Sequence, residues 1–133
     1  MRAAWLMVTA VLGVCGAGQG AWAQQALGVW QTEKTDDGRY LHIEVHPCAD
    51  AADRVCGTIV GAFGGAREDS VGMPITWDMV PEGPNAWDGG RIWKPDEDKV
   101  YDSEMELRGD TLVVSGCVLG GLICKSQDWP RVR

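Results

Sequence analysis

The chain has 133 residues, with 12 Lys and Arg against 19 Asp and Glu, a formal net charge of −7, and 45% of its residues are hydrophobic. A chain this short supports one domain of ordinary size. Its excess of acid repels phosphate backbones and anionic lipid head groups alike, which sets nucleic acid aside as a partner and says nothing about fold.

The N-terminus predicts an address. Arg2 precedes an apolar stretch from Ala3 to Val14, followed by small residues up to Ala21-Trp22-Ala23. A short basic region, a hydrophobic core and an A-x-A site read as a secretory signal cut after Ala23. The apolar run is too short to span a bilayer, and no transmembrane segment is read after it. A lipid anchor on Cys15 is disfavoured because Val14, not a small residue, stands before it. The expected organisation is therefore a cleaved signal over 1–23 and a single domain over 24–133, in the periplasm or outside the cell. Loss of Arg2 leaves 11 Lys and Arg against 19 Asp and Glu, a net charge of −8.

Cleavage removes Cys15 and leaves Cys48, Cys56, Cys117 and Cys124. An even number in an oxidising compartment predicts two disulfides. Neither spacing is C-x-x-C, so thioredoxin-like and zinc-ribbon chemistry lose their signature.

After the signal no helix is predicted. Short runs rich in Val, Ile, Thr, Trp and Tyr alternate with Gly, Asp, Asn and Pro, the pattern of consecutive antiparallel strands. Eight are predicted, over 27–34, 39–46, 55–63, 74–79, 86–94, 100–108, 111–119 and 122–132. Asp37-Gly38, Gly109-Asp110 and Gly120-Gly121 supply hairpin turns. Leu41, Ile43 and Val45 alternate with Tyr40, His42, Glu44 and His46, and Tyr101, Ser103, Met105 and Leu107 alternate with Asp102, Glu104 and Glu106. Leu112, Val114 and Val118 share a face with Gly116. The facing of 86–94 is ambiguous. A meander of such strands hides its edges by closing, so the expected fold is all-β, a small eight-stranded antiparallel up-and-down barrel. Eight strands leave room for side chains alone or for one small ligand.

The stretch "CVLGGLIC" at 117–124 fixes a register. With Gly120-Gly121 as a two-residue turn, Leu119 faces Leu122, Val118 faces Ile123, and Cys117 faces Cys124. Opposed residues of this kind have Cα atoms about 4.5 to 5.5 Å apart, within disulfide range. Val118 and Ile123 then point inward and both sulfurs outward. Closing so short a loop is worth roughly 2.5 kcal/mol in the chain-entropy model. Cys48 and Cys56 are expected to bridge the loop between the second and third strands in the same way.

"GVWQTE" at 28–33, "VCGTIVG" at 55–61, "WDGGRIWKPDEDKVYDSEMEL" at 87–107 and "GCVLGGLICKSQDWPRV" at 116–132 resemble the bacterial family catalogued as domain of unknown function 2147. The resemblance covers nearly the whole expected mature chain and is most specific from Trp87 onward. It implies an exported protein with a small lipocalin-like barrel and no established reaction. The sequence departs from the family over Gly64–Met73, where "GGAREDSVGM" replaces an Asn-Pro-Asp and Arg signature. Lipocalins carry Gly-x-Trp on the first strand and a basic residue on the last that packs over the Trp; Gly28, Trp30 and Arg131 look like that barrel-closing set. Such a cation–π contact is worth about 1 to 2 kcal/mol when desolvated, and Gly28 would leave room for the indole.

From the hairpin register, Lys125, Gln127, Trp129 and Arg131 follow Ile123 on the inner face. Tyr101, Ser103, Lys125 and Gln127 are then inward polar groups beside Met105 and Val114, the pattern of a small-molecule pocket. Lys125 would give an acidic or carbonyl head group its counter-charge, and Gly116 opposite it leaves space. No metal or cofactor is implied. His42, Glu44 and His46 lie along one strand face too widely spaced to share one ion and read as a solvated surface. "DEDK" at 96–99 with Asp102 lacks the spacing of a calcium loop. Ser70 and Ser115 have no evident base, and no nucleophile elbow or phosphate-cradling loop is present. The reading is an exported binding protein for a small, largely apolar ligand. A cell-envelope interaction module with a filled barrel is the alternative, an enzyme stands behind both, and the oligomeric state is left open.

Overall fold

A computed structural model describes residues 25–133; the signal segment, the cut after Ala23 and Cys15 lie outside the described residues. Eight strands follow one another: β1 (Gly28–Gln31), β2 (Tyr40–Pro47), β3 (Val55–Phe63), β4 (Pro74–Gly83), β5 (Ala86–Lys94), β6 (Lys99–Arg108), β7 (Thr111–Val118) and β8 (Ile123–Pro130). They form one antiparallel sheet in chain order, and each strand pairs with its sequence neighbours. Among the described residues no helix is long and apolar enough to cross a membrane.

The sheet curls until its ends meet. Trp30 of β1 forms an isolated antiparallel bridge with Arg131, just beyond β8. The Val29 N–H donates to the Arg133 carbonyl at 2.6 Å, and the Val132 N–H donates back to the Val29 carbonyl at 2.7 Å. This seam is short, and side chains reinforce it. The Arg131 guanidinium carbon sits 4.2 Å from the Trp30 ring centroid. Its Nη1 and Nη2 donate to the Leu27 and Gln25 carbonyls at 2.8 and 2.9 Å. The indole N–H beneath donates to the Ala26 carbonyl at 2.9 Å. Gly28 serves a different purpose from the one expected. A Cβ there would lie 2.5 Å from the Arg133 carbonyl oxygen and 2.7 Å from Arg131 Nη1. The glycine therefore makes room for the arginine and the tail, not for the indole, and its φ of 136° suits glycine.

Both disulfides have the expected pairing. Cys48–Cys56 closes the β2–β3 loop and Cys117–Cys124 joins β7 to β8, with Cα separations of 4.9 and 4.1 Å. The β7–β8 register is the predicted one, with Cys117 opposite Cys124 and Val118 opposite Ile123. The turn is longer than expected, because Leu119 to Leu122 leave the ladder and a 3₁₀ turn spans Leu119–Gly121. Cys117 keeps its outward parity but is buried, whereas Cys124 is exposed. β4 also runs four residues past its expected end at Met79, with Pro81 still paired to Trp87.

Strand β5 resolves the facing that alternation left ambiguous. Its pairing with β6 jumps from Trp87–Met105 to Gly90–Ser103, so one extra residue on β5 is looped out, and Gly89 takes φ 73°. Trp87, Gly90 and Ile92 consequently share the inner face. Trp93 has the opposite parity yet is buried, with Arg67 of the β3–β4 loop 5.8 Å above its ring.

The core is a single cluster whose largest fully buried members are Trp30, Trp87 and Trp129, with Ile43, Ile59, Met79 and Leu112. Each buried indole removes roughly 150 to 250 Å² from water. Trp87 Nε1 is the one buried side-chain donor without a partner among the described residues. An orphan donor costs about 1 to 3 kcal/mol, so Trp87 stays for its bulk.

Trp30→Ala should lower the unfolding free energy by about 3 to 5 kcal/mol in denaturant titration, as for other enclosed aromatics. A loss below about 1 kcal/mol would mean that the indole and its arginine cap do not hold the seam.

Candidate functional site

In an up-and-down sheet alternate loops gather at opposite ends. The β1–β2, β3–β4, β5–β6 and β7–β8 connections share the end away from the Trp30–Arg131 seam, and there the interior opens into a cavity of about 350 Å³. Leu41, Ile75, Ile92, Val114 and Trp129 give it apolar walls and floor, while charged side chains from the loops form its rim. The barrel is thus filled at one end and hollow at the other.

Most rim cations are already committed. Arg39 pairs with Asp37 at 3.0 Å and with Asp96 at 2.9 Å, Arg67 with Asp69 at 3.1 Å, and Lys94 with Glu97 at 3.0 Å. The Tyr101 hydroxyl donates to Glu97, and the Trp93 indole N–H donates to Asp98 at 2.9 Å. The Tyr101 bond, and after it Lys94, holds the Glu97 carboxyl below its ordinary pKa; the same bond pushes the Tyr101 phenol up. The Thr35 hydroxyl and then Arg39 lower Asp37 likewise. Lys125 differs from these cations: it lines the cavity but is exposed at the mouth, not enclosed as its inward parity suggested, and has neither ion-pair nor hydrogen-bond partner among the described residues. Gln127 beside it accepts the Trp129 indole N–H at 2.9 Å through its carbonyl oxygen. An indole can only donate, so the Gln127 amide N–H groups remain without a partner there.

Of the residues predicted to converge, Tyr101, Val114, Lys125 and Gln127 line this cavity, and Ser103 and Met105 do not. Both of the latter face inward but lie deeper. Ser103 is buried and donates to the Ser115 carbonyl at 2.7 Å, and Met105 is enclosed in the core opposite Val114 and Trp87. Alternation gives the face of a residue and not its depth, which the three indoles set by filling the seam end. Gly116 stands opposite Lys125 as expected, and a Cβ there would make only ordinary contacts at 3.6 Å with Ile92 and Tyr101. Sequence reasoning missed Arg39, Ile75, Ile92 and Trp93. The first belongs to a loop and the last two to the bulged strand, so no periodicity marks them.

The other constellations have structural partners. His46 bonds through Nε2 to the Thr58 hydroxyl at 2.7 Å and through Nδ1 to the Pro47 carbonyl at 2.8 Å. His42 packs against Phe63 with ring centroids 4.5 Å apart; burial, and then the Arg133 charge, lowers its pKa. Ser70 donates to the Arg67 carbonyl and Ser115 bonds with Ser126, so neither meets a base. Glu104, Cys117 and Cys124 cluster closely, but both sulfurs are spent in the disulfide and are not thiolate ligands.

An eight-stranded meander, plugged at one end by tryptophan under arginine and hollow at the other, defines a lipocalin-like barrel. A solved structure described as "Protein HP1028 from the human pathogen Helicobacter pylori belongs to the lipocalin family" matches with a TM-score of 0.65, covering 80% of this chain and 82% of that one at 13% identity. At that identity the likeness concerns the fold alone. The chain belongs to the family described as "Uncharacterized protein conserved in bacteria (DUF2147)", whose model matches residues 28–131. No curated protein matches the chain.

The rim has a pH signature. A carboxylate held below its ordinary pKa keeps its contacts at neutral pH and releases them as pH falls through the lowered value. In a Tyr40→Phe background, Tyr101 should titrate above its ordinary value of 10.0, and adding Glu97→Gln should move the midpoint back toward it. Ultraviolet difference titration reads both, and an unmoved midpoint would show that the Tyr101–Glu97 bond does not form in solution.

Proposed function

We propose that this protein is exported and binds a small, largely apolar molecule in the open half of its barrel, with Lys125 facing an acidic or carbonyl group of the ligand. One observation carries the reading: of the cations lining this largely apolar cavity, the exposed Lys125 alone has no counter-charge among the described residues. Concave apolar sites with a few convergent polar groups are the usual form of small-molecule pockets. Tyr101, Gln127 and Val114 are the proposed companions of Lys125. The two disulfides support an oxidising compartment, the periplasm or the medium. The hollow end favours this reading over the filled interaction module.

Native mass spectrometry of protein purified from the periplasm should detect a co-purifying small molecule. With a fluorescent long-chain carboxylate as probe, Lys125→Met should cost about 1.5 to 3 kcal/mol of affinity, the scale of a charged hydrogen bond, with the thermal midpoint unchanged. Gly116→Leu should abolish probe binding by projecting into the cavity. Full affinity in both variants would place binding elsewhere.

A further inference from the structure

We propose that the open end of the barrel docks on a lipid bilayer of zwitterionic composition, led by the β7–β8 tip. The exposed apolar side chains are not spread evenly. Among the described residues, every exposed large hydrophobic except Val60 and Val132 belongs to the open end, including Val71 and Met73 of the β3–β4 loop. The densest group is the tip, where no polar side chain interrupts Val118 to Ile123. Leu119, Leu122 and Ile123 are 68%, 85% and 58% exposed. Leu119 takes φ 53°, a conformation usual for glycine or asparagine and uncommon for leucine, and Gly120 and Gly121 follow at 66° and 93°. A turn concerned only with reversing the chain would carry polar residues at such positions. The Cys117–Cys124 disulfide crosses the hairpin directly behind the tip and keeps it projecting.

Patches of this kind mark protein or membrane contacts. A stable protein partner needs about 800 Å² of complementary surface on each side. A narrow tip beside an open mouth offers little continuous area, whereas a lipid interface accepts a few apolar side chains at shallow depth. The charge selects the lipid. With a net charge of −7, the chain is repelled by anionic surfaces, so attachment has to come from apolar insertion into a neutral one. Val118 and Ile123 belong to both the tip and the cavity wall, so the docked protein would present its mouth to the bilayer.

The test is flotation of the full mature chain with vesicles of phosphatidylcholine and phosphatidylethanolamine. Wild type should float with the vesicles at low and high salt alike. Leu119→Ser combined with Leu122→Ser should lower the bound fraction about tenfold or more, because each exposed leucine moved out of water favours the bound state on that order. Both positions are solvent-facing, so the thermal midpoint and disulfide content should not change, and Val132→Ser, away from the mouth, should float normally. Absence of wild-type flotation, binding confined to anionic vesicles and lost in salt, or undiminished flotation of the double variant would each overturn the proposal. So would a wild-type dimer that the double variant makes monomeric without any flotation, which would assign the tip to a second copy of the chain. The carboxylate probe, measured without vesicles, keeps the two readings separate: Lys125→Met should lose the probe and still float, while the leucine variant should float poorly and keep it.

Discussion

The contact on which this barrel depends is the stack of Arg131 over Trp30. Every other strand boundary is a ladder between chain neighbours, but the boundary between β1 and the tail is one bridge and a few backbone bonds. A ladder that short does not hold a curled sheet closed by itself. The guanidinium supplies what is missing, because its planar fork bonds two carbonyls of the entering chain while its face covers the indole. The indole in turn bonds Ala26, so the segment entering β1 and the segment leaving β8 are tied to one aromatic ring. Lysine would keep the charge at this position and lose the fork and the stacking face.

With the seam fixed, the interior divides by height. Trp30, Trp87 and Trp129 occupy the seam end, and above them the strands carry smaller residues and a glycine at position 116. The polar groups follow the same division. Deep ones such as Ser103 are bonded to the sheet itself, and those near the mouth are paired around the rim or, like Lys125, left open. The two halves meet at Ile75, Val114 and Trp129, which belong to the core and line the cavity at once, whereas the charged rim above them carries none of the packing.

The sequence was legible wherever period two was unbroken. Strands β2, β6 and β7 showed their inner faces directly, and the hairpin at 117–124 gave both a register and a disulfide, because pairing depends only on which residues stand opposite. Legibility failed where the backbone departed from that period. The bulge at Gly89 carries Trp87 and Gly90 to the same face although three positions separate them, so strict alternation misassigns one or the other. The fourth strand was expected to end at Met79, yet Pro81 is still paired within β4. The Gly120-Gly121 turn opened by a residue on each side without shifting the register. Depth was the other hidden quantity, since nothing in alternation tells Ser103 from Tyr101.

A meander of this kind also has an order of assembly written into it. Seven of its eight strand boundaries join segments adjacent in the chain, and the two disulfides each span a single short loop. Each such boundary closes a loop between adjacent strands and costs less chain entropy than a closure across the whole sheet. The boundary between Trp30 and Arg131 is the exception, because it joins residues about a hundred positions apart. Until the hairpins have formed, bringing those ends together restricts the entire chain; afterwards it restricts only a sheet already curled. The seam is thus the natural last event of folding and the natural first point of opening, the least protected edge of the barrel.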